Sequence, residues 1–154
     1  MDFPLTETLA RFALETPVEN IPEEVIERGK IHILDALGLA LAGSIAPPSR
    51  ITRDHVLSVC AADGEASILG TQHRVPARFA ALCNGVSIHA DNFDDTNPQA
   101  DPARNGGIHP TGAVLATVLA LGESQKIDGA SVMGAYHVGV EIACKLSHAI
   151  AQRH

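Results

Sequence analysis

Three prolines constrain this chain more than any other feature. Pro22, Pro76 and Pro110 each precede a long proline-free stretch rich in Ala, Leu, Val and Ile. Proline fits the first turn of a helix, where its missing N–H has no partner to lose and its fixed φ suits the helical path. Each of the three therefore marks a helix start. After Pro22, the carboxylates of Glu23 and Glu24 favour the positive end of a helix dipole. Val25, Ile26, Ile33, Leu34, Leu37 and Leu41 then recur at helical spacing, which predicts a helix to about Ala42 with those residues as its apolar face. Pro76 opens a helix from Ala77 to about Ala90, and Pro110 opens one that ends near Gly122.

The remaining elements follow from the same punctuation. Leu5, Leu9, Phe12 and Ala13 predict a short first helix that Pro17 stops. Pro47-Pro48-Ser49 reads as a turn, with Ser49 capping a helix from about Arg50 to Ala62 that Gly64 closes. Ala66 to Gly70 reads as a short strand, Gly70-Thr71-Gln72-His73 as a turn and Arg74-Val75 as the returning strand. Asp128 caps a last helix from Gly129 to about Ala151. The expectation is an all-α fold of about six packed helices with one small β-hairpin, in a single domain over 1–154. With 3% aromatics and no Trp, the core must be built from Ala, Leu, Val and Ile, a composition that favours close helix packing. Ala135, Gly139, Ala143 and Ser147 lie four apart on the last helix, as a close core contact or a contact between copies.

Charge and cysteine usage narrow the function. The formal net charge is −7 and Lys and Arg are not clustered, so nucleic acid is excluded as an expected partner. An anionic substrate then needs a local positive site. Cys60, Cys83 and Cys144 form no CxxC pair and read as buried small apolar residues in a reducing compartment. The acidic start Met1-Asp2-Phe3-Pro4 lacks a signal-peptide pattern, and no apolar run reaches the roughly 18 residues that span a bilayer. The expected location is the cytoplasm, with no membrane partner.

Chemistry concentrates between the helices that Pro76 and Pro110 open. His89, Asp91, Asn92, Asp94, Asp95 and Thr96 are followed by Arg104, Gly106, Gly107 and His109 in a long polar segment. A histidine exchanges protons near neutral pH, and a neighbouring carboxylate can hold one tautomer. His109 stands where the next helix begins, and free backbone N–H groups there favour an anion. Arg104 adds donors suited to a carboxylate. These residues point to a site for a carboxylate substrate. Plainer roles fit each one singly: Asp94 and Asp95 as loop-solvating or capping groups, Thr96 as a turn hydroxyl, His109 as a structural histidine. His89, Asp91, Asp94, Asp95 and His109 are also possible ligands of a divalent ion, although the segment lacks the EF-hand order, HExxH and paired CxxC.

The same residues carry a resemblance. Asn84-Gly85, His89, Asn92-Phe93-Asp94-Asp95-Thr96 and His109-Pro110-Thr111-Gly112 are similar to the N-G, H, D-F-D-D-T and H-P-S-G/A pattern of the MmgE/PrpD family. Lys30 to Gly38, Leu69-Gly70 with Arg74-Val75-Pro76, and Tyr136 to Glu141 resemble flanking parts of that family, so the likeness covers essentially the whole chain. The resemblance implies a mostly helical domain, here its N-terminal portion, truncated and without the family's smaller α/β lid. It implies a lyase, dehydratase or decarboxylase, that acts on a citrate-like di- or tricarboxylate with no metal or organic cofactor. An isomerase or epimerase, or a non-catalytic polycarboxylate-binding or split-subunit module, are the alternatives. The implied partners are a small polycarboxylate and either a second copy in a homodimer or a complementing C-terminal half. Carried over, His109, Asn92 and Thr96 take the catalytic positions, with Asp94, Asp95, Arg104 and His89 at the substrate. Two departures stand out. Asn92 replaces the Asp of many members and cannot exchange a proton. The loop from Asn97 to Ile108 is longer than in the family's shorter versions.

Overall fold

The computed structural model describes residues 4–60, 63–97 and 107–150. Six α-helices appear in this order among them: α1 (Leu5–Glu15), α2 (Glu23–Gly43), α3 (Pro47–Val59), α4 (Ala77–His89), α5 (Pro110–Gln125) and α6 (Gly129–Ile150). A 3-10 turn, Val18–Asn20, joins α1 to α2. Between α3 and α4 lies an antiparallel hairpin of β1 (Ala66–Ser67) and β2 (Arg74–Val75), with Ala66 opposite Val75 and Ser67 opposite Arg74. The all-α class with one small hairpin is as expected.

Helix α4 is the hub, set against α5, α2, α3 and the hairpin. One core cluster joins the hairpin to three helices through Val56, Ala66, Ile68, Val75, Ala80, Cys83 and Ala120. The other joins α2, α4, α5 and α6 through Ala36, Ala40, Ile88, Leu115, Ala116 and Tyr136. Alanine supplies three of the seven residues in the first and three of the six in the second, and the helix backbones approach closely. At Gly43, an added Cβ would fall onto the Ser87 carbonyl oxygen and lie 3.0 Å from its carbon. Helices α2 and α4 thus meet backbone to backbone at that point.

That approach corrects the expected face of α2. Its buried residues are Gly29, Ala36, Ala40 and Gly43. Leu34 and Leu41, expected inside, are 72% and 57% exposed, and Val25 is exposed as well. Periodicity weights large apolar residues, whereas a tightly approached face admits only small ones. With Ile31 and Ile45, Leu34 and Leu41 line an open apolar stripe along α2.

Several boundaries also moved, among them the end of α3, which stops at Val59 and not near Ala62. Helix α3 begins at Pro47, not at Arg50, because Pro47 itself takes the first helical position. Ser49 is therefore a buried helical residue and not a cap. Strand β1 stops at Ser67, since the Thr71 N–H already donates to the Ile68 carbonyl at 3.2 Å and closes the turn. Helix α5 runs past Gly122 to Gln125 and ends with Lys126 in the left-handed region, where the Ile127 N–H donates to the Gly122 carbonyl. Gly122 serves packing instead: an added Cβ would lie 2.9 Å from Val132 of α6. The small-residue stripe of α6 also meets the core in part, with Gly139 against Val114 of α5. Cys83 is buried, Cys60 and Cys144 are half-buried, and all three thiols are free.

Asn84 ties the hairpin to α4. Its Oδ1 accepts the Leu69 N–H at 2.9 Å, and its Nδ2 donates to the Ser67 carbonyl at 3.0 Å. The residue is 2% exposed. Asn84→Ala leaves a buried N–H and C=O without partners, so it lowers the unfolding free energy by about 1–3 kcal/mol. Urea unfolding of both proteins measures this, and an unchanged midpoint contradicts it.

Asp128 caps α6 as expected, accepting the Ser131 N–H at 3.0 Å and the Ser131 hydroxyl at 3.1 Å. The bond from the Ser131 backbone, then that from its hydroxyl, hold the Asp128 carboxyl below its ordinary value. A depressed folded-state value means stability that is present above the unfolded value and lost as pH falls through the folded one. Asp128→Ala therefore lowers the melting temperature near neutral pH. The gap from the parent closes as pH falls below about 4. Parallel melts across that window test it; a gap that persists in acid assigns the effect to something other than the charged cap.

Among the described residues, no single helix is long and apolar enough to cross a membrane.

Candidate active site

The site lies where α4 ends and α5 begins. Pro76 and Pro110 start these two helices, so His89 falls in the last turn of α4 and His109 at the cap of α5. Between them, the chain turns through Asn92, which adopts φ +55°. Asn tolerates this left-handed backbone better than most residues. The turn directs Asp94 inward, where its side chain is only 2% exposed.

Asp94 then holds both histidines. His89 Nδ1 lies 2.9 Å from Asp94 Oδ1 and 3.1 Å from Oδ2. His109 Nδ1 lies 3.3 Å from Oδ1 and 3.3 Å from the Asp94 carbonyl oxygen. The two rings meet edge to face, with centroids 4.9 Å apart. An ionised carboxylate and a carbonyl only accept, so each ring carries its proton on Nδ1 and keeps an acceptor at Nε2. Neither Nε2 has a partner among the described residues. His89, Asp94 and His109 open onto a depression of about 300 Å³, lined also by Gly85, Gly112 and Ala113. A Cβ at Gly112 would sit 3.3 Å from Ile88 and 3.4 Å from Asp94 Oδ2.

Asp95 faces the other way. It accepts the Thr111 N–H at 3.2 Å and the Thr111 hydroxyl at 2.8 Å, and so caps the first turn of α5. The Tyr136 hydroxyl lies 2.7 Å from Thr111 Oγ1. Burial pushes the Tyr136 phenol above its ordinary value, Thr111 opposes this and Asp95 reinforces it. The phenol thus stays protonated and donates to Thr111, which donates to Asp95. Sequence reasoning missed Thr111 and Tyr136 as members of this network. The one signal was that the only tyrosine of the chain sits on an apolar helix face, where its hydroxyl needs a partner.

Asn92 and Thr96 are exposed on the same loop. Thr96 lies beside Gly107, whose missing side chain leaves room for its methyl group. An antiparallel bridge between Asn97 and Ile108 pins the loop's two ends, with the Asn97 N–H donating to the Ile108 carbonyl at 2.9 Å. Arg104 lies outside the described residues. A larger groove of about 490 Å³ runs between α2 and α6, past Glu24, Arg28, His32 and His137. Its His137 is spent on the Met133 and Val25 carbonyls, and among the described residues no carboxylate pairs with it or with His32.

The MmgE/PrpD N-terminal domain model matches residues 7–154. The chain belongs to the MmgE/PrpD family. Its relatives include the cis-aconitate decarboxylase of Homo sapiens, 32% identical over 149 residues, which are 94% of this chain and 29% of that protein. The mouse cis-aconitate decarboxylase is 30% identical over the same shares, and that of Aspergillus terreus is 27% identical over 95% of this chain and 29% of its own length. The chain therefore spans about 29% of the length of these family members. The joined His89, Asp94 and His109 are all drawn from the segment that carried the family resemblance.

Proposed function

We propose that the chain forms the N-terminal part of a cofactor-free lyase, a dehydratase or decarboxylase, for a citrate-like di- or tricarboxylate in the cytoplasm. The observation that carries this is the buried Asp94 carboxylate, which holds two imidazoles by their Nδ1 atoms where all three residues line one depression. The relatives named cis-aconitate decarboxylase support the lyase class. The protein works as a homodimer or with a complementing C-terminal half.

The chemistry suits these groups. Dehydration takes a proton from the carbon next to a carboxylate and delivers it, through the same base, to the departing hydroxyl, which leaves as water. Decarboxylation breaks a C–C bond, releases CO₂ and returns a proton to carbon. Both need one group that moves a proton at carbon, and His109 Nε2 is that group. Asp94 fixes the tautomer and steadies the imidazolium when it forms. Arg104, and His89 once its Nε2 is protonated, offset substrate charge, and Thr96 donates to a substrate carboxylate. Asn92 orients the substrate and does not exchange a proton. Asp95 serves the substrate indirectly, by holding the start of α5.

A dye-reported thermal shift with citrate, cis-aconitate and 2-methylcitrate tests this reading, with His109→Ala beside the parent. One acid raises the midpoint, by up to about 2.7 kcal/mol of stability at a hundredfold excess over its dissociation constant. His109→Ala loses that shift. Turnover of the same acid, with and without a supplied C-terminal half, then separates a lyase from a binding module. A cooperative transition that no acid moves counts against the site.

A further inference from the structure

We propose that His89, Asp94 and His109 also form a binding site for a divalent transition-metal ion of the zinc class. One ligand atom from each residue lies within 4.8 Å of the other two. The two nitrogens stand 2.9 Å and 3.3 Å from Asp94 Oδ1. Ligands about 2.0–2.1 Å from a tetrahedral zinc sit roughly 3.3 Å from one another, so both separations from Asp94 already suit the ion, and turning the rings brings the two nitrogens, within 4.8 Å of each other, to that spacing. His89 and His109 side chains are 54% and 32% exposed and have room to turn, whereas Asp94 is fixed and buried. Two imidazoles and one carboxylate suit zinc, cobalt or nickel, and not magnesium or calcium, which take oxygen ligands. The protein supplies three ligands, and water takes the fourth position.

Binding changes the state of the rings. Each now donates its Nδ1 proton toward Asp94. To bind metal at Nδ1, each ring gives up that proton and carries one on Nε2 instead, with no net change in charge on a neutral imidazole. An Nε2 that carries a proton no longer accepts one from substrate carbon. The ion is therefore an inhibitor of the proposed lyase chemistry and not its cofactor. That consequence rests on the proposed function; the binding itself does not.

Titration calorimetry of Zn²⁺ and Mg²⁺ into the metal-stripped chain tests the site, in buffer free of polycarboxylates, because those acids chelate zinc. Asp94→Asn and His89→Gln accompany the parent, each checked for helical content by circular dichroism. His89 is half-exposed, so its variant gives a second reading that leaves the buried Asp94 in place. The expected result is one Zn²⁺ per chain, no Mg²⁺ uptake, and Zn²⁺ affinity at least about tenfold weaker in both variants. Long-range ¹H–¹⁵N imidazole spectra show His89 and His109 exchanging tautomer as zinc enters. Absence of zinc binding overturns the proposal, as does equal affinity in the parent and His89→Gln, which assigns the ion to other histidines. None of these readings uses activity, so failure of the polycarboxylate reading leaves them intact.

Discussion

Asp94→Asn slows turnover of the preferred acid by about 100-fold or more while leaving the fold almost unchanged. The amide keeps the shape of the carboxylate, but its nitrogen donates where Asp94 accepts. Both imidazoles reach Oδ1, at 2.9 Å and 3.3 Å, so an amide oxygen there still accepts from them, while the amide nitrogen meets His89 at the Oδ2 position, 3.1 Å away. The negative charge that steadies the His109 imidazolium is lost. Stability changes little, because both rings reach water and solvent replaces the lost bonds. The prediction is read as kcat and KM of the active protein, with the melting temperature alongside. A fall in kcat at near-constant KM and melting temperature matches the role drawn for Asp94. An unchanged kcat removes Asp94 from the mechanism, and a collapse of the melting temperature makes it a structural residue.

Gly43→Ala lowers stability by about 3 kcal/mol or more. Its Cβ would meet the Ser87 carbonyl of α4 and lie 3.2 Å from Ala90 Cβ. A flexible side chain could turn aside, but a helix backbone cannot, so α2 and α4 must separate and open the Ala36–Ala40–Ile88 core. For a chain of this length, the melting temperature falls by roughly 6–12 °C. Gly38→Ala is the matched control, because nothing lies within 4 Å of its added Cβ. There the change raises helix propensity and stabilises by about 0.5–1 kcal/mol. Equal effects at the two glycines contradict the close approach of α2 and α4. Because α4 carries His89, Gly43→Ala also disturbs the site from a distance.

The sequence by itself determined the elements and the segment that bears the chemistry. Pro22, Pro76 and Pro110 place helix starts through a local fact, a missing N–H and a fixed φ, that no later packing alters. Asp128 before Gly129, with Ser131 following, is equally local. The cluster from His89 to His109 was visible because its members are close in the chain, and the family followed from the same residues. Only the tertiary structure decided which neighbour each side chain meets. Asp94 and Asp95 are adjacent carboxylates of one kind, and nothing local separates them. The turn at Asn92 sends Asp94 to two imidazoles and Asp95 to Thr111, which in turn meets Tyr136. Burial on α2 was hidden for the same reason. Helical spacing marks Leu34 and Leu41 as apolar, but a backbone approach at Gly43 decides that Ala36 and Ala40 are inside and those leucines outside. Gly122 reads as a helix stop in the chain and proves to be a gap for Val132 of the next helix. Local rules act on φ and on hydrogen-bonding capacity, whereas close approach depends on residues far apart in sequence.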